Sequence, residues 1–85
     1  MKTQKRVTWP EVLRALPVDE TRSYALGRFR DPCFSPDSFA TRIESRAIVA
    51  EGLTRTEDWL ELNRRPKQVE AIRAVRRRLE LELWS

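Results

Sequence analysis

The residues best equipped for chemistry in this chain are arginines, and the chemistry they suit is gripping phosphate rather than breaking bonds. Arg64, Arg65, Lys67, Arg73, Arg76, Arg77 and Arg78 fall within one short stretch that holds a single carboxylate, Glu70. Charge of that density attracts polyanions, and each neutralised phosphate releases counterion, so binding would be salt-sensitive. Arginine makes up 14 of the 17 basic residues, and its planar fork matches a phosphate better than lysine's point charge does. Arginine-favouring codons would produce the same bias, so the clustering carries the argument and the count does not.

A second candidate is Arg28-Phe29-Arg30. An aromatic ring between two guanidinium groups could stack on an unpaired base while its neighbours hold phosphate. The competing reading puts Phe29 in the core with the arginine stems lying over apolar surface.

Bond-making chemistry is poorly supplied. The chain has no histidine and one cysteine, Cys33, which removes the usual nucleophile and base pairings and most zinc or iron ligand sets. Glu57 with Glu61, and Asp58 with Glu61, share a helical face, but such spacing is the ordinary pattern of a solvated surface. We expect no catalytic residue, no metal and no cofactor.

Charge alternates in blocks along the 85 residues. Residues 1–30 carry seven basic and three acidic groups, 31–63 three basic and seven acidic, 64–78 seven basic and one acidic, and 79–85 only Glu80 and Glu82. Opposite blocks in one chain suit charge-matched association with another protein or a second copy.

These residues must be held by a small all-α bundle of four to five helices with a long C-terminal helix. Residues 1–7 read as a basic tail and 8–85 as one helical domain. Thr8 and Glu11 form an S/T-x-x-E capping box with Pro10 in the first turn, and Pro17 ends that helix. Asp19 caps a second helix, for which Gly27 is the expected left-handed stop. Ser35, Pro36 and Asp37 open a third, with Phe39, Ala40, Ile43, Ala47 and Ala50 on its apolar face and Gly52 ending it. Thr54 and Glu57 read as the next capping box, so residues 36–51 and 55–63 form a helical hairpin turning at Gly52-Leu53. A DNA-reading version of that hairpin is disfavoured, because Glu57, Asp58 and Glu61 would face phosphate.

The last helix starts at Pro66 and buries Val69, Ile72, Val75, Leu79 and Leu83. Ala74, Leu81 and Trp84 lie on another face, and a second apolar strip needs something to cover it. Leu81 and Trp84 are therefore the candidate interface residues, tryptophan being common at interface hot spots. The alternation of Leu79-Glu80-Leu81-Glu82-Leu83 also fits a short strand pairing near residues 5–9.

A lone cysteine and no apolar segment behind the charged N-terminus fit the cytoplasm, and no apolar run approaches the roughly 20 residues of a membrane span. The sequence points to a small accessory or regulatory protein, a homodimer by expectation, that binds DNA or RNA through the Arg64 to Arg78 cluster. The alternative is a protein-interaction module that uses the last helix.

Overall fold

The computed structural model describes residues 6–84 and contains five helices: α1 (Trp9–Ala15), α2 (Glu20–Arg28), α3 (Pro36–Thr41), α4 (Ile43–Leu62) and α5 (Pro66–Trp84). Helix α5 folds back antiparallel along α4; α2 packs on α4, and α1 on α5. Among the described residues there is no strand, and residues 79–84 are helical, so the strand alternative for them fails.

Local capping sets the starts of the first three helices. Thr8 and Glu11 form a reciprocal capping box, Asp19 Oδ1 accepts from the Thr21 amide at 2.7 Å, and Ser35 caps α3 with Pro36 behind it. Pro17 stops α1, and its last carbonyls are taken up from outside: Arg22 Nη2 donates to Leu13 O at 2.7 Å and to Leu16 O at 2.9 Å.

Both expected glycine stops move. Gly27 has no positive φ and lies inside α2, which runs on to Arg28. Gly52 lies in the middle of α4, so the hairpin turn at Gly52-Leu53 does not exist. Thr54 is no cap there; its hydroxyl donates back to Ala50 O at 3.1 Å. The break falls instead at Arg42, whose extended backbone (φ −123°, ψ 129°) separates α3 from α4. That break resets the helical phase. Phe39 stays buried, but Ala40, Ile43 and Ala47 are exposed, and α4 turns Val49, Ala50, Leu53, Thr56 and Leu60 inward.

Helix α4 ends on a backbone-bonded left-handed turn. Arg65 N donates to Leu60 O at 2.9 Å and Arg64 N to Glu61 O at 3.2 Å, with Arg64 at φ 57°. That place usually belongs to glycine, since a Cβ there costs about 1 kcal/mol. Arg64→Gly is expected to raise stability by about 0.5–1 kcal/mol in urea denaturation; a loss of stability would mean that the Arg64 side chain contributes more than its backbone costs.

The core is one cluster containing Val7, Val12, Leu16, Phe29, Phe39, Leu53, Leu60, Ile72 and Leu79. Trp9 lies over its aromatic end, with ring centroids 5.4–6.1 Å from those of Phe34, Phe39 and Phe29. Residues 1–5 of the expected basic tail lie outside the described residues. Val7, assigned to that tail, is a core residue only 1% exposed.

Candidate interaction surface

Four of the seven basic residues in the 64–78 cluster are engaged by carboxylates of the same chain. Arg65 reaches Asp19 at 3.7 Å and also pairs with Glu20. Arg73 binds Glu57 at 3.1 Å and lies 3.8 Å from Glu61. Arg76 pairs with Glu57 and, one turn on, with Glu80 at 2.8 Å. Arg78 meets Glu11 at 2.5 Å. Glu57 is buried between α4 and α5, so Arg73 and Arg76 neutralise an acid that would otherwise be costly there. Its hydrogen bond with Arg76 pushes the guanidinium even further above its ordinary value.

Arg64, Lys67 and Arg77 are exposed and have no ion-pair partner among the described residues. The second candidate separates in the same way. Phe29 is 1% exposed, wedged against Trp9 and Phe34, and so cannot stack on a base. Arg28 lies 5.0 Å over the Tyr24 ring, which itself stacks on Trp59 at 4.8 Å. Arg30 is exposed.

The carboxylates that answer these arginines are tuned accordingly. The Arg78 hydrogen bond, joined by the Thr8 amide, holds Glu11 below its ordinary 4.5. The Thr21 amide and hydroxyl hold Asp19 below 3.8. Both folded values are depressed, so the stability these groups add is complete above the ordinary values and is lost as pH falls through the lower folded ones. The melting temperature is therefore expected to drop on acidification below about pH 4.5, with a shallower drop in Glu11→Gln. An identical acid profile for that variant would exclude Glu11 as a contributor.

Sequence reasoning missed a heavily bonded buried side chain. Arg46, 2% exposed, donates to Phe39 O at 2.8 Å, Val7 O at 2.7 Å and Glu82 Oε1 at 2.5 Å, and its guanidinium lies 4.4 Å from the Phe39 ring centre. Glu82 also accepts the Val7 amide at 2.6 Å. The only sequence hint is a basic residue in phase with the apolar positions Val49, Leu53 and Leu60. On α3 and α4, Ser45 donates to Cys33 O at 2.8 Å and contacts Ser38 at 2.5 Å, tying down the loop that carries the exposed, unbridged Cys33.

Two apolar side chains of α5 are open as well. Leu81 and Trp84 are 58% and 84% exposed on the outer face of α5, with Ala74 and Arg77 in line behind them. Arg77, Glu80, Leu81 and Trp84 line a shallow groove of about 400 Å³. On the other side of Trp84, a groove of about 220 Å³ runs between Ala47, Ala50, Glu51 and Thr54 of α4 and Glu80 and Leu83 of α5. Among the described residues no group of His, Cys, Asp or Glu is placed to hold a metal, and no helix is long and apolar enough to cross a membrane. No protein-family model matches the chain, and no curated protein or solved structure is detectably similar to it.

Proposed function

We propose that this chain is a binding protein, not a catalyst, and that it docks onto protein through the outer face of the C-terminal half of α5. One observation carries the reading: Leu81 and Trp84 stand exposed side by side between two grooves. An exposed tryptophan beside a leucine is the residue pairing of an interface anchor, and truncating such an anchor removes much of an interface's affinity. The arginines support this reading indirectly, since Arg65, Arg73, Arg76 and Arg78 hold the helices together.

A photo-crosslinking amino acid at position 81, activated in living cells, tests the proposal. A protein adduct that is identified by mass spectrometry and lost when Trp84→Glu is added is the expected result. No protein adduct from position 81 would overturn it.

Polyanion binding is the second reading, supported by the unpaired Arg64, Lys67 and Arg77 and the exposed Arg28 and Arg30. With four basic residues of the 64–78 cluster already paired within the chain, affinity for DNA or RNA should be weak and salt-sensitive. Tight binding at ~50 mM salt that Arg64→Glu with Lys67→Glu abolishes would make it the first reading instead.

A further inference from the structure

Building on that docking surface, we propose that its occupant is a second copy of this chain, held antiparallel, α5 against α5, about a two-fold axis near Leu81. A two-fold interface must be complementary to itself, because each residue meets across the axis the partner its own counterpart meets. This patch meets that condition. Arg77, Leu81 and Trp84 recur at helical spacing on one exposed face, with a cation at one end, an aromatic ring at the other and a leucine between. Reversing one helix over the other about Leu81 sets leucine near leucine and brings each Arg77 over the other copy's Trp84.

The charges match as well. Arg77 has no ion-pair partner among the described residues, and neither has Glu51, which lines the groove on the far side of Trp84. A guanidinium that crosses to the indole comes within reach of that carboxylate, so the two-fold operation answers both unpaired charges twice over. An unrelated partner would have to bring a cation, an apolar centre and an anion in this order, whereas a copy already carries them. Arginine over an aromatic ring is a contact this fold makes twice within itself, at 5.0 and 4.4 Å, and it strengthens when water is excluded. The face is only about two turns long, so the dimer belongs at the small, dissociable end of interfaces.

Sedimentation equilibrium of the full chain from ~1 µM to ~1 mM reads the association directly. Wild type is expected to dimerise reversibly. Arg77→Glu alone and Glu51→Arg alone should each weaken the dimer by about tenfold or more, since each sets like charges opposite one another twice. An equimolar mixture of the two variants should recover association as a heterodimer, because in the mixed pair both cross-axis contacts regain opposite charge. Both positions are exposed, and circular dichroism verifies folding before each run. A wild type that stays monomeric throughout, or variants that dimerise like wild type, or a mixture that fails to recover, would overturn the two-fold proposal. A monomer that still yields a position-81 adduct with a different protein overturns self-association and leaves the docking surface standing; a monomer with no adduct removes both.

Discussion

Replacing Arg46 with alanine is expected to cost about 3–5 kcal/mol, the range for deleting one member of a buried, fully bonded charge pair. The whole stability of a domain this size is only about 4–13 kcal/mol, so the variant should lose a large part of it. The loss has several sources. Phe39 O and Val7 O lose the guanidinium that satisfies them, and Glu82, whose side chain is 19% exposed, loses its partner at 2.5 Å. Each buried acceptor left bare costs about 1–3 kcal/mol. Lysine should recover little, since one ammonium cannot serve three directions with a planar fork. Methionine at both 46 and 82 should lose less than the two single changes summed, because no buried charge is then stranded. Urea denaturation measures each variant, and an Arg46→Ala protein within about 1 kcal/mol of wild type would show that the network contributes little.

The second large effect is expected at Gly52, where alanine should destabilise by about 2 kcal/mol and valine by more. A Cβ at this position would lie 2.5 Å from both Cδ1 and Cε1 of Phe29 and 3.3 Å from Cβ of Arg28. Phe29 is itself boxed in by Trp9 and Phe34, so its ring has nowhere to retreat. Alanine normally gains about 1 kcal/mol over glycine in a helix, so the clash must first consume that gain. Gly27 provides the control. It is also helical, but nothing lies within 4 Å of a Cβ built there, and Gly27→Ala should stabilise by about 1 kcal/mol. Opposite signs for one substitution at two helical glycines, read in the same thermal melts, would isolate the Phe29 contact. Equal signs would refute it.

These two residues also show where sequence reading stops. Thr8, Asp19 and Ser35 are legible as caps because a cap acts within a few residues of itself. The buried stripe of Val69, Ile72, Val75 and Leu79 is legible because one helix face repeats at a fixed spacing. Gly52 is misread because its local meaning, a stop, gives way to a contact made 23 residues upstream. Arg42 breaks the helix without a proline, a glycine or a side-chain cap to announce it. The arginine cluster divides along the same line. The Arg76–Glu80 pair follows from helical spacing, whereas Glu57, Glu20 and Glu11 reach their arginines from other helices. Leu81 and Trp84 could be singled out because a second apolar strip on one helix is visible in the spacing, but Arg77 and Glu51 gain meaning beside them only once α4 and α5 lie together.

The bond from the Val7 amide to Glu82 brings the two ends of the described chain to a common pole, the one that also carries Trp84. Anything spliced after the last helix therefore emerges next to the exposed indole and competes for its space, whereas Val7 meets Glu82 on the opposite face of α5. Fluorophores and affinity handles used to follow association belong at the far pole, on the Asn63 to Arg65 turn, where they report on the molecule without crowding its sticky side.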